Sequence, residues 1–219
     1  MNPPLQPTAS PDIAAEGRSA RKRRAILEAA TTAFLRNGYL GTSMDDIAAR
    51  ASVSKQTVYK HFANKERLFS EIVRSTVDEV SEPVFDEVLK LEDTGDVEAD
   101  LQDLARRQLA AVMQPRLLQL RRLVIGEAGR FPEAGRIFYE RGPGRTVAAL
   151  AGALEHLAER GVLDLDDPLL AAAHLNWLIM SFPMNQAMLL GQDKPLKPAD
   201  LDRYADAGVR AFLAAYGRR

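Results

Sequence analysis

With 219 residues, 46% of them hydrophobic, the chain holds enough apolar material for one or two globular domains and too much to be disordered throughout. The absence of cysteine excludes a disulfide framework and thiolate chemistry, whether at a metal or as a nucleophile. The net charge of −1 conceals a division: eleven Lys or Arg stand against four acids between Arg18 and Arg67, a net of +7 that leaves −8 for the rest. That asymmetry predicts a basic domain able to displace phosphate counterions beside an acidic one that DNA would repel.

Residues 1–17 read as a flexible tail. The opening MNPPLQPTAS lacks a basic segment followed by an apolar stretch, and the chain nowhere has the apolar run of about 20 residues that a membrane helix needs. Neither leader nor membrane contact is expected, and the cytoplasm is the expected compartment. The first helix is predicted over Arg21–Asn37, with Ile26, Ala30, Ala33 and Phe34 on one face and Gly38 after its end. Thr42 or Ser43 can cap the next helix, with Asp45 or Asp46 following. In TSMDDIAARASVSKQTVYKHFANK, Met44, Ile47, Ala48 and Ala51 repeat at helical spacing, as do Val53, Val58 and Phe62. Ser52 and Ser54 suit the turn between them, and Ser54 can cap the following helix. Residues 18–65 therefore form a helix-turn-helix head. Its second helix carries Lys55, Gln56, Thr57, Tyr59, Lys60 and His61, donors long enough for phosphates and base edges.

Asn64 caps a connector helix from Lys65 to about Ser81, apolar enough to face two bodies and ended or kinked by Pro83. Residues 66–219 form the connector and a C-terminal domain. Further helices are predicted at Val84–Leu91, Val97–Gln114, Arg116–Arg130, Glu133–Gly161 with a break near Gly142-Pro143-Gly144, Pro168–Leu190 with a bend at Pro183, and Ala199–Tyr216. No alternating strand pattern and no repeat interrupts them, so the fold class is all-α.

The stretch GYLGTSMDDIAARASVSKQTVYKHFANKERLF resembles the DNA-binding signature of the TetR family of one-component transcriptional regulators. Its Thr-Ser, Ile-Ala, Val-Ser, Tyr-x-x-Phe and Lys-Glu-x-Leu landmarks stand in family order. Ser52 occupies the turn position where that family most often has glycine, which implies a positive φ and modest strain. More weakly, RRLVIGEAGRFPEAGRIFYERGP resembles one branch of the family's C-terminal domains. The resemblance implies a homodimer whose heads enter successive major grooves of a palindromic operator, half-sites about 34 Å apart. It also implies a bundle that holds a small-molecule effector and changes head spacing. The expected function is a repressor released by a small, largely apolar molecule, with an activator or a constitutive architectural role as the alternatives.

Gln56 is the first choice for a base reader, since its amide can pair bidentately with adenine, and Lys55 and Thr57 could reach guanine or a thymine methyl. The resemblance places Thr42 or Ser43, Tyr59, His61 and Lys65 on the phosphate backbone. Partial burial against Phe62 is the competing reading for Tyr59, and simple packing at a helix end for His61. For the effector, Pro168–Leu190 offers His174, Asn176, Trp177, Met180, Ser181, Met184, Asn185 and Met188; Phe131, Phe138 and Tyr139 with Leu120, Val124 and Glu127 could add wall. Those polar groups could equally be satisfied by neighbouring helices or a dimer mate, and Glu127 by Arg130.

Dimerisation is expected through residues 168–190 and 199–216. The stripe Leu201, Ala205, Val209, Phe212 and Leu213 could serve it or be internal core. An enzyme is not expected: His61, His156 and His174 lie on different predicted helices, and no HExxH pair, phosphate loop or G-x-S-x-G elbow is present. No catalytic residue, metal or cofactor is assigned. The rival reading is a helical binding or scaffold protein whose head reads no DNA.

Overall fold

The computed structural model describes residues 11–191 and 196–218. Residues 1–10 of the expected tail lie outside them. The described residues form α1 (Pro11–Asn37), α2 (Met44–Arg50), α3 (Lys55–His61), α4 (Lys65–Leu89), a 3-10 turn at Lys90–Asp93, α5 (Val97–Val112), α6 (Pro115–Glu127), α7 (Pro132–Arg141), α8 (Pro143–Glu159), α9 (Pro168–Leu190) and α10 (Pro198–Tyr216). The architecture is all-α, as expected, and among the described residues no helix is long and apolar enough to cross a membrane. Two compact units divide inside α4, one running through Ile72 and the other beginning at Val73.

In the first unit, α1 starts ahead of the expected Arg21, because proline is tolerated in a first turn and the residues after it are mostly good helix formers. Its Ile26, Ala30, Ala33 and Phe34 are buried, as are Ile47 of α2, Val58 of α3 and Leu68 and Phe69 of α4. Phe34 stacks on Tyr39 at 5.6 Å, and Phe69 meets both rings edge-on at 5.5 and 5.3 Å. Such offset and edge geometries are the favourable ones for aromatic pairs. Ser43 caps α2 in a full capping box with Asp46. Ser54 caps α3 by accepting from the Thr57 amide at 3.1 Å. Between these helices Ser52 adopts φ 53°, the left-handed region the resemblance implied. Backbone bonds from Ser52 N–H to Ala49 O and from Val53 N–H to Ala48 O hold it there.

The second unit has a core of Val84 and Val88 (α4), Leu101, Leu104 and Leu109 (α5), Leu150, Leu154 and Leu157 (α8), Leu175 and Ile179 (α9) and Val209 and Phe212 (α10). Arg106 grips Asp206 with a two-bond fork at 2.7 and 2.8 Å, tying α5 to α10. The stripe on α10 is internal: Ala205, Val209 and Phe212 are buried in that core, with Leu201 and Leu213 packed against it.

Pro83 does not end α4, contrary to the expected split into Lys65–Ser81 and Val84–Leu91. Pro83 and Glu79, whose carbonyl the proline leaves unbonded, are both exposed, so water can satisfy the acceptor. Val84 and Val88 beyond it are buried, each worth about 1.5–3 kcal/mol, enough together to offset the roughly 3 kcal/mol cost of an interior proline. The break near Gly142 is present, with α7 ending at Arg141 and α8 starting on Pro143. A Cβ at Gly142 would lie 2.9 Å from the Phe138 carbonyl and 3.2 Å from Val77 Cγ1, so this crossing of α7 and α4 requires glycine.

Replacing Ser52 with glycine should relieve the left-handed strain and stabilise the head by about 0.5–1 kcal/mol. Ser52→Val should destabilise it by more. Urea unfolding followed by tyrosine environment in the first unit checks both, and a less stable Ser52→Gly protein would refute the strain argument.

Candidate functional site

The segment joining α1 to α2 is locked before α3 is reached. Lys65 Nζ donates to the carbonyls of Tyr39 and Thr42, each at 2.8 Å, and stands 4.3 Å from the Tyr39 ring centroid. Thr42 is 2% exposed and its hydroxyl donates to the Gly38 carbonyl at 2.9 Å. These two placements bear on the expected phosphate contacts. Thr42 has no hydroxyl left at the surface, and Lys65 directs two of its three donors inward, so its first task is to hold the link. Of the Thr42/Ser43 pair it is Ser43 that is exposed, although its hydroxyl also donates to Asp46 at 2.7 Å.

With its start fixed by Ser54 and its inner face by Val58, α3 turns Lys55, Gln56, Tyr59 and Lys60 to solvent. Lys55 pairs with Asp45 of α2 at 2.8 Å, an exposed contact that polyanion could displace at little cost. Gln56 has no side-chain partner among the described residues. Thr57 is half-buried, its hydroxyl 2.8 Å from that of Ser54. Tyr59 is 44% exposed rather than buried against Phe62. His61 is half-buried beside Phe62, with ring centroids 6.3 Å apart. Its pKa is lowered by burial first and then by the charges of Lys60, Arg23 and Lys22. Burial and this positive field both disfavour the imidazolium, and an anion beside it would relieve the field.

Entirely within the second unit lies a cavity of about 310 Å³. Helix α4 contributes Val77, Val80, Ser81 and Val84; α5 gives Gln108 and Val112, α6 Leu117 and Arg121, and α7 Phe138 and Tyr139. Gly142, Pro143 and Thr146 close one side, and α9 supplies Asn176, Trp177, Met180 and Met184. Gln108 Nε2 donates to Asn176 Oδ1 at 3.1 Å, and both side chains are buried. Beside the cavity, α4 is clasped to the following helices: Asp78 takes a bidentate pair from Arg141 at 2.6 and 2.8 Å, and Glu82 one from Arg145 at 2.6 and 3.3 Å. The Arg145 hydrogen bond holds the Glu82 carboxyl below its usual pKa.

Phe138, Tyr139, Trp177, Met180 and Met184 are thus brought together, and Glu127, His174, Ser181 and Asn185 are not. Helical phase explains most of this. On α9 the wall residues span about 100° from Asn176 to Trp177, with Ser181 about 40° and Asn185 about 80° beyond Trp177, and on α6 Glu127 lies about 120° from Arg121. His174 points instead at α10, its Nδ1 2.6 Å from the Tyr216 hydroxyl. Residues not foreseen as wall are Val77, Val80, Ser81 and Val84, Gln108, Leu117, Thr146 and above all Arg121. The α4 set has i, i+3, i+4, i+7 spacing, and Arg121 interrupts the apolar row Leu117–Val124. Both signals stand in the sequence.

Helix α9 is buried on one side only. Leu178, Phe182 and Leu189, spaced for one face, are 38%, 57% and 80% exposed, an apolar row larger than solvent normally meets on one helix.

The family described as bacterial regulatory proteins, tetR family, matches residues 26–72, and that described as the C-terminal domain of AefR-like transcriptional repressors matches residues 99–218. A helix-turn-helix-type transcriptional repressor of Streptomyces coelicolor is 30% identical over 184 residues, 83% of this chain and 90% of its own. A solved TetR-family transcriptional regulator from Mesorhizobium loti is 47% identical with TM-score 0.85, covering 92% of this chain and 99% of that one. The flavonoid-responsive regulator FrrA is 32% identical with TM-score 0.72, covering 91% and 99%.

Lys65→Met keeps the apolar stem and removes the ammonium. Losing hydrogen bonds from a charged donor to two buried carbonyls should cost the head about 1–3 kcal/mol. The measurement is urea unfolding of the head, and a variant as stable as the parent would return Lys65 to a role on the surface.

Proposed function

The chain belongs to the TetR family of transcriptional regulators, and we propose that it works as a homodimeric repressor on a palindromic operator, released by a small, largely apolar effector. It is a DNA-binding regulator and not an enzyme. The observation that carries the finer reading is the exposed row of α3, where Lys55, Gln56, Tyr59 and Lys60 stand clear of the head's own core. Gln56 reads a base edge; Lys55 and Thr57 flank it. Ser43, Tyr59, Lys60 and His61 hold phosphates and set register without carrying sequence information. Ser54 serves the site by capping the helix that presents them.

Repression is favoured by the AefR-like repressor match over residues 99–218 and by the Streptomyces relative's name. Response to a small molecule is favoured by the cavity, whose volume lies at the lower end of the ~300–1,000 Å³ typical of such sites. The name of FrrA says that it responds to flavonoids, which supports a responsive C-terminal domain here without naming its ligand. The cytoplasm is the compartment in which this activity belongs.

Coupling runs through α4. Val77, Val80, Ser81 and Val84 line the cavity on the same helix whose first turns place Leu68 and Phe69 in the head. An effector that binds one setting of α4 more tightly biases the head by that difference in affinity, and a tenfold shift needs about 1.4 kcal/mol. Two heads held together also convert the second half-site contact into an intramolecular one. The exposed face of α9 is the surface that would hold them.

Selection from randomised duplex DNA at near-physiological salt should return a palindrome with the parent protein and a relaxed base preference at one or two positions with Gln56→Ala. Binding that lacks any motif and vanishes with salt would leave the scaffold reading in its place. On the second element, Phe182→Glu should convert the dimer to monomer in sedimentation equilibrium while helicity is retained. A parent protein that sediments as a monomer at micromolar concentration would remove the dimer from the proposal.

A further inference from the structure

Arg121 is out of keeping with its surroundings. It lies on the cavity wall among Leu117, Phe138, Met180 and Met184, and burial lowers its pKa with no neighbouring charge to oppose the effect. Its Nη1 sits 3.0 Å from Met184 Sδ, a weak acceptor, and its Cζ is 5.4 Å from the Phe138 ring centroid. Among the described residues no carboxylate comes within ion-pairing distance. Other arginines of the same unit show the alternative: Arg106, Arg141 and Arg145 each hold an acid through two hydrogen bonds.

A guanidinium cannot escape burial by losing its proton at neutral pH, so a half-buried one facing an apolar cavity with only a weak sulfur acceptor and a ring face beside it is less stable than one paired with an acid. The planar N–H fork is complementary to the two oxygens of a carboxylate. The buried Gln108–Asn176 amide pair, also in the lining, adds hydrogen-bonding capacity at the wall. The remaining lining, Val77, Val80, Val84, Val112 and Met180 among others, suits an apolar body.

We propose that the cavity takes an amphipathic organic anion, with its carboxylate paired to Arg121 and its hydrocarbon or aromatic body against the α4 valines. This rests on the reading of the cavity as an effector site and narrows it to one chemical class. Arg121 is the specificity-determining residue: it selects acids over neutral compounds of the same shape. Trp177, the single tryptophan of the chain, is among the lining residues though 58% exposed, so its fluorescence is expected to respond to a body in the cavity.

The test uses the full-length protein with decanoate and 2-naphthoate, each against its own primary amide. Affinities come from calorimetry and, for the decanoyl pair, from Trp177 fluorescence. An acid should bind roughly tenfold or more tighter than its amide, the difference expected of hydrogen bonds to a charged group. Arg121→Met should erase that preference while the empty variant melts at a higher temperature than the empty parent, and Arg121→Lys should keep part of the preference. Acid and amide binding equally to the parent, or neither binding, overturns the proposal without reference to any variant. A variant that keeps the acid preference overturns it too. The selected operator then separates the two readings: acid-selective binding that leaves DNA affinity unchanged sinks the effector role and keeps the anion site. Release of DNA by the amide as readily as by the acid does the reverse.

Discussion

Helix α4 has to satisfy two cores with one backbone. Leu68, Phe69 and Ile72 are buried in the first unit, and Val73, Val77, Val84 and Val88 in the second. A helix resists bending at any residue whose hydrogen bonds and packing are intact, so the solvent-facing Pro83 is the one position where its ladder is thinned. The carboxylates of Asp78 and Glu82, one turn apart, take their arginines from α7 and α8. The stretch of α4 that lines the cavity is therefore the stretch fastened on its flank to the second unit. Among the described residues α4 alone combines wall, clasp and covalent continuity into the head.

The basic side chains divide into three physical regimes. Lys55 and Lys60 are hydrated, cheap to hold and available to a polyanion. Lys65 is drawn inward and its charge satisfied by carbonyl dipoles and the face of Tyr39, which makes it part of the scaffold on which α3 rests. Arg121 is half-buried on the cavity wall with no acid among the described residues to compensate it. Counting charges assigned all of these to one basic or acidic domain, whereas their roles differ because their surroundings differ.

The helix periods, the caps at Ser43 and Ser54, the left-handed serine and the division into head and bundle were legible because each is a local property of a few neighbouring residues. The exposed row on α3 was legible for the same reason. What was not local was harder to read. Pro83 reads as a stop until the burial of Val84 and Val88 on its far side is known. Lys65 reads as a surface cation until Tyr39 and Thr42, more than twenty residues earlier, are seen to present their carbonyls. On α9, apolar residues on all sides remove the contrast from which a face is chosen, so Ser181 and Asn185 could not be told from Met180 and Met184. His174 was drawn away by a tyrosine at the far end of the chain.

Gly41 has no room for a side chain: a Cβ there would lie 2.4 Å from the Asn37 carbonyl. Together with Phe34, Tyr39, Thr42 and Lys65 it belongs to a small frame in which each member fills a neighbour's space or hydrogen-bonding need. Gln56, Tyr59 and Lys60 belong to no such frame. New recognition can therefore arise by exchanging side chains on α3 while the frame stays as it is, and a lineage can explore binding sites one residue at a time without passing through unfolded intermediates.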